Sequence, residues 1–302
     1  MTEYRRNGIE IIQKKLDYEL TKTKYWIHFL QKQDNTFGYI EQYSNVLACN
    51  KDRSTLALYS KNSRGKFFLR NKDNVLVGKK RGDKKIEGDL ATPIGIYKLV
   101  KKKEQNLDPF YGPLALVTSY PNVYDKYLGK TGHGIWIHGV PENKERSPYT
   151  KGCIALQNNN LKKLDKSIKL GDTILIINQK GVKKKVNRKI LAWVLTQLYR
   201  WRYAWIYNDL DLYLSFYDKN FVRYDGMKLR QFKRYKKRVF AKKEPKSIIF
   251  QGITIIPYPN KKFFYQIMFY EHYRSPSYKF DGEKILIVRL DKKYKMKILT
   301  EK

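Results

Sequence analysis

The spacing of hydrophobic residues changes twice along this chain, and each change restricts the fold. Ile9, Ile12, Leu16, Leu20, Ile27 and Leu30 mostly recur at helical steps, so roughly residues 8–33 read as an amphipathic helix. Such a helix must bury its stripe against its own domain or against a second copy of the chain. From about residue 45 the runs shorten to "NVLAC", "TLALYS", "KFFLR" and "NVLVG", separated by Asn, Asp, Gly and Lys, which is strand punctuation. Further strands are expected at 94–100, 114–118, 133–138 and 172–178, with one short helix near 158–167. After the charged stretch at 180–188 the character shifts again. "ILAWVLTQLYRWRYAWIY" reads as an aromatic-rich helix, a second helix follows near 226–241, and four strand-like runs close the sequence. Helices followed by a sheet indicate an α+β domain.

Bulk properties exclude less than they allow. With 42% hydrophobic and 15% aromatic residues, the 302-residue chain can build real cores and is not a disordered polyelectrolyte. A net charge of +35 predicts attraction to nucleic acid, anionic lipid or an acidic wall polymer. The basic residues are spread through the chain, as in Lys101–Lys102–Lys103 and "KRYKKR" at 233–238, with no zinc-finger spacing or RNA-recognition motif beside them. Charge alone therefore names no partner. Two cysteines, Cys49 and Cys153, form no disulfide framework and no CxxC. No secretory apolar region or membrane-length apolar run is present; taken literally, the chain is soluble and cytoplasmic, or its export signal has been removed.

The reactive side chains gather in "HGIWIHGVPENKERSPYTKGCIAL" at 133–156. Read as a strand, "HGIWIHG" sends Ile135 and Ile137 to one face and Trp136 and His138 to the other. A polar loop returns at Thr150–Lys151–Gly152–Cys153, so Cys153 enters a buried segment from a glycine-assisted turn. A thiol with a pKa of about 8.5 is mostly protonated at neutral pH and needs a base or a cation to attack efficiently. His138 can take that proton and return it to a leaving amine, and Lys151 can add positive potential. A buried structural cysteine with a hydrogen-bonded histidine fits the spacing as well. A metal site fits worse, because no third ligand stands at a usual spacing. His133 is a further candidate, with a hinge role for "GHG" as its alternative, and Cys49 reads as a buried strand residue.

Two motifs taken together resemble the L,D-transpeptidase (YkuD-like) family: "GDLATPIGIYKL" at 88–99, and "IHG" followed after a loop by "TKGCIAL". "YGPLALVTSYPN" and "TGHGIWIHG" are also similar to one branch, the periplasmic L,D-carboxypeptidases that shape helical and curved Gram-negative bacteria. The resemblance implies an α+β, multidomain chain: an N-terminal helical segment at 1–42 that can dimerise, a mostly-β catalytic domain at 43–180, and a nuclear-transport-factor-like α+β domain at 187–302. It implies Cys153 as nucleophile, His138 as general base, the Gly139 carbonyl orienting the imidazole, and amides at Gly152 and Cys153 as oxyanion hole. Trp136, His133, Thr150 and Lys151 are the candidate substrate contacts.

The implied substrate is a peptidoglycan tetrapeptide stem ending in meso-diaminopimelate–D-alanine. The implied reaction is removal of that D-alanine in the periplasm, with no metal or organic cofactor, no nucleic acid and no transmembrane segment. Two departures stand out. Lys151 replaces the histidine that many transpeptidases carry before Gly-Cys, and Ala155 replaces an arginine common two residues after the cysteine. Cross-linking of stems and a non-catalytic wall-binding role are the alternatives.

Overall fold

The structure, a computed structural model, describes residues 2–142, 147–182 and 185–302. Part of the polar loop before Thr150 and part of the basic stretch at 180–188 lie outside the described residues. The chain divides into two units, one of residues 41–184 with 257–262 and one of residues 1–40, 185–256 and 263–302.

The middle unit is built on an eight-stranded sheet. Its strands run in the order Phe67–Asn74, Thr55–Lys61, Asn45–Asn50, Thr173–Asn178, Gly95–Lys103, Ala115–Thr118, Trp136–His138 and Ile154–Ala155. Leu47, Leu116, Ile137, Ile154 and Leu175 on these strands are buried completely in one core. Each such side chain contributes about 1.5–3 kcal/mol of transfer free energy. The helix Asn158–Ser167 lays Leu161 and Leu164 on that core and turns its lysines outward.

Two expected strands are cut short for identifiable reasons. Past Asn74, which ends the strand Phe67–Asn74, "NVLVG" forms only bridges, Leu76 to Ala155 and Gly78 to Thr150. There the backbone runs so close to 90–92 that a Cβ on Gly78 would meet the Leu90 carbonyl oxygen at 2.4 Å. The strand expected at 133–138 begins only at Trp136, because Gly132 and Gly134 turn the backbone at φ +88° and +70°.

The other unit carries a five-stranded antiparallel sheet in the order Tyr39–Ile40, Ser247–Pro257, Phe264–Ser275, Tyr278–Leu290 and Met296–Glu301. The helices Arg188–Ile206, Leu210–Ser215 and Leu229–Ala241 complete it, and the aromatic rings of Trp201, Tyr213, Phe221 and Phe232 fill its core.

The single N-terminal helix expected over 8–33 is two helices, Thr2–Glu19 and Thr23–Leu30. Between them Thr21 and Lys22 make tight i→i−3 bonds to Tyr18 and Glu19, and the indole of Trp26 takes the Leu20 carbonyl at 2.7 Å. The stripe divides accordingly. Leu30 is buried, while Ile9 and Leu16 stay 63% and 62% exposed. Asp17 is buried and ion-paired to Arg202 at 2.8 Å, and its other oxygen accepts the Tyr207 hydroxyl at 2.9 Å.

Candidate active site

Trp136–His138 lies beside Ile154–Ala155 in parallel register, with Ile137 opposite Ile154 and His138 opposite Ala155. Ile137 and Ile154 point into the core, so Trp136, His138 and Ala155 occupy the other face. The same register carried one residue back sets Cys153 beside Trp136, on the face of His138. Sequence alternation and strand pairing thus bring the thiol and the imidazole to one surface. The thiol is partly exposed, whereas His138 is 1% exposed.

The imidazole is held from several sides. Its Nδ1 lies 2.7 Å from the carbonyl oxygen of Gly139. A carbonyl can only accept, so Nδ1 carries the hydrogen and Nε2 keeps the lone pair that a base requires. The peptide bond that supplies this carbonyl is itself clamped. Its N–H, on Val140, donates to Asn158 Oδ1 at 2.9 Å, and Asn158 Nδ2 returns a bond to the Val140 carbonyl at 2.9 Å. Gly139 N–H donates to the Tyr111 carbonyl at 2.8 Å, and the Tyr111 ring meets the imidazole edge-on with centroids 5.0 Å apart. Gly139 has to be glycine here, since a Cβ would stand 2.3 Å from Asn158 Oδ1.

The turn that carries Cys153 is shaped by Thr150 and Gly152. Thr150 Oγ1 donates to the Cys153 carbonyl at 2.7 Å and accepts from Gly152 N–H at 3.0 Å. Gly152 adopts φ +134°, and a Cβ there would stand 2.9 Å from the Ala91 carbonyl oxygen in the "GDLATPIG" segment. That contact brings the two sequence motifs together in space: one forms the floor under the other. The thiol lies 3.5 Å from the carbonyl oxygen of Gly134, which the left-handed Gly132 and Gly134 turn toward it.

Several expected contacts are placed differently. Gly152 N–H, expected at an oxyanion hole, donates to Thr150 Oγ1, and the same hydroxyl donates to the Cys153 carbonyl. His133 lies outside the strand with its side chain 85% exposed, nearest to Glu87 at 4.0 Å, instead of sharing a face with Ile135 and Ile137. Lys151 is exposed. Trp136 stands beside His138 as expected, against Tyr111 with ring centroids 5.0 Å apart. Cys49 is buried completely, and burial pushes its thiol up to about 12. Sequence reasoning missed Tyr111 and Asn158. The run of three asparagines opening the helix at 158 was the available signal.

Beneath the motif floor, Lys84 and Asp89 pair at 2.8 Å with side chains 4% and 7% exposed. Burial raises the Asp89 carboxyl, but the Lys84 ammonium and the amides of Lys85, Ala91 and Ile86 outweigh it and hold the carboxyl well below the usual range.

The C-terminal unit holds a cavity of about 720 Å³ lined in part by Trp205, Lys236, Glu271, Lys284 and Glu301. Lys236 Nζ stands 4.3 Å over the Trp205 ring and 5.1 Å over Tyr213, and burial lowers its pKa to about 8. Among the described residues no group of three or more His, Cys, Asp or Glu is placed to hold a metal ion, and no helix is long and apolar enough to cross a membrane.

Comparison with known proteins follows this architecture. Residues 44–177 match the L,D-transpeptidase catalytic domain (YkuD) profile, and residues 193–302 match the Cds6 C-terminal NTF2-like domain profile. The crystal structure of the helical cell shape determining protein Pgp2 from Campylobacter jejuni is similar at 40% identity with a TM-score of 0.85, covering 94% of this chain and 100% of that one. Bd1075 of Bdellovibrio bacteriovorus is similar at 25% identity with a TM-score of 0.69, covering 90% of this chain and 96% of that one. No curated protein sequence matches the chain. With nearly full-length likeness to Pgp2, and both domain profiles in the same order, the chain belongs to the L,D-transpeptidase (YkuD) family, in the group that carries a C-terminal NTF2-like domain.

Proposed function

We propose that the protein is a peptidoglycan L,D-carboxypeptidase that trims tetrapeptide stems to tripeptides and thereby affects cell shape, acting in the periplasm. The observation that carries the chemistry is the fixed tautomer of His138 on the face of the sheet that Cys153 shares. Nε2 takes the thiol proton as Sγ attacks the carbonyl joining meso-diaminopimelate to the terminal D-alanine. The C–N bond breaks, the imidazolium returns the proton to the departing amine, and a thioester remains. Water, deprotonated by the same imidazole, then cleaves the thioester and regenerates the thiol. The likeness to Pgp2, a helical cell shape determining protein, supports the link to shape. Ala155, buried at the position where many transpeptidases carry arginine, favours hydrolysis over cross-linking.

The test is mass spectrometry of tetrapeptide muropeptides incubated with the protein and with a Cys153→Ala control. Loss of one D-alanine, absent in the control, supports the reading. Cross-linked dimers in place of tripeptide keep the site and change the reaction to transpeptidation. No product from monomeric or cross-linked substrates rejects the enzyme and leaves a wall-binding protein. The exposed Ile9 and Leu16 support homodimerisation through the N-terminal helix, and a monomer mass by light scattering would remove that part of the reading.

A further inference from the structure

Two lysines of the run at 101–103, Lys101 and Lys103, share the face of the catalytic pair, and Lys103 is the one that lies over the Trp136 ring. Pairing runs from Ala155 to His138, from His138 to Ala115, and from Ala115 to Lys103, so these four residues form a single row across the sheet. Cross-strand partners project to the same face, which puts Lys103 on the side of His138 and Cys153. Lys102 belongs to the next row, with Leu116 and Ile137, and therefore points to the opposite face. There it pairs with Asp165 and Glu104, each at 2.8 Å.

Lys103 is held in a different way. Its Nζ stands 4.5 Å over the Trp136 ring, so the side chain leans back from its own strand across the small side chain of Ala115. Trp136 precedes the paired Ile137 by one residue, as Cys153 precedes Ile154, so the ammonium is carried toward the thiol. Among the described residues, Lys103 meets no carboxylate. A cation laid on an aromatic wall, beside a nucleophile and without a protein anion, is arranged to receive an anion from outside. Ala155, two residues past Cys153, supplies no such charge.

We propose that Lys103 forms the carboxylate subsite of this active site, taking the free C-terminal carboxylate of the peptide that Cys153 attacks. That carboxylate lies one residue, about 3.5 Å of chain, from the scissile carbonyl. The assignment rests on the hydrolytic reading and deepens it, because it makes Lys103 the residue that selects free chain ends over internal peptide bonds.

The test compares a tetrapeptide ending in free D-alanine with the same peptide ending in D-alaninamide, on wild type, Lys103→Met and Lys103→Arg. Lys103→Met should lower kcat/KM on the free acid on the order of tenfold to a hundredfold, mainly through KM, as expected for a lost charged hydrogen bond. It should leave the amide within about twofold, since a neutral end offers the ammonium little. Lys103→Arg should restore most of the preference. Equal losses on acid and amide, or no loss on either, overturn the assignment. Binding of both peptides to Cys153→Ala, with and without Lys103→Met, separates the two readings. If wild type releases no D-alanine but binding still distinguishes acid from amide through Lys103, the hydrolytic reading fails and the subsite stands. If binding shows no such distinction, the subsite fails whatever the turnover.

Discussion

Asn158→Ala should damage catalysis more than its place on a helix terminus suggests. Asn158 touches neither the thiol nor the imidazole; it grips the peptide unit whose carbonyl holds His138 Nδ1. The substitution removes two hydrogen bonds of 2.9 Å, each with a net worth of about 0.5–1.5 kcal/mol, so about 1–3 kcal/mol of local restraint is lost. The Gly139 carbonyl also becomes a weaker acceptor, because the N–H of the same peptide unit no longer has an anchored partner. Misplacement of a catalytic group by about 1 Å can cost a hundredfold in rate, so kcat/KM should fall roughly tenfold to a hundredfold. The decisive assay is the pH profile of Cys153 alkylation by iodoacetamide, run beside kcat/KM on the tetrapeptide. A clamp that orients the base should shift the alkylation profile toward higher pH along with the loss of activity. A lower melting temperature with unchanged kcat/KM and an unchanged alkylation profile would refute this reasoning and leave Asn158 a purely structural residue.

At about pH 6, Cys153 should react with iodoacetamide far faster than Cys49, whose thiol is buried and raised to about 12, and His138→Ala should erase most of that difference. Peptide mapping reads this directly, and equal rates at the two cysteines in wild type would contradict the pairing of thiol and base. Asp89 should control acid stability. Its folded pKa lies below the unfolded value of about 3.9, so its contribution is complete above that value and is lost as pH falls through the folded pKa. Asp89→Asn, which strands Lys84 in a nearly buried site, should cost about 3 kcal/mol or more at neutral pH and flatten the fall in stability between about pH 5 and 2. Urea unfolding curves that run parallel for wild type and variant across that range would show that the carboxyl carries no such linkage.

Much of the site was legible because local chemistry forces it. Alternation in "IWIH" separates core from cleft without any knowledge of the sheet, and the glycine before Cys153 announces a turn. The helix over 158–167 matches its apolar spacing. What the sequence hid depends on register or on distant backbone. Three consecutive lysines at 101–103 look equivalent until strand pairing sends Lys102 to Asp165 and Lys103 to Trp136. Asn158 reads as part of a helix start, yet its amide turns onto Val140, a partner that no local pattern identifies. Thr150 looked like a substrate contact because hydroxyls before a nucleophile invite that reading; its own turn uses both of its bonding functions. The N-terminal helix was read as continuous because the apolar spacing runs nearly unbroken past Leu20, where Trp26 takes a backbone carbonyl and stops it.

The order in which the segments are assembled has a consequence during synthesis. Residues 1–40 complete a unit whose remaining parts begin at residue 185. Asp17 and the edge strand Tyr39–Ile40 leave the ribosome well before Arg202 and Ile255, their partners in that unit. At about 5–20 residues per second the delay is on the order of ten seconds. Through that interval the catalytic sheet can close by itself, while Trp26, Leu30 and an unpaired strand remain open to solvent. The nascent chain thus carries a sticky leading arm that a holding chaperone would have to shield. In cell-free synthesis, slowing translation after residue 184 should therefore raise aggregation without altering the stability of the finished protein.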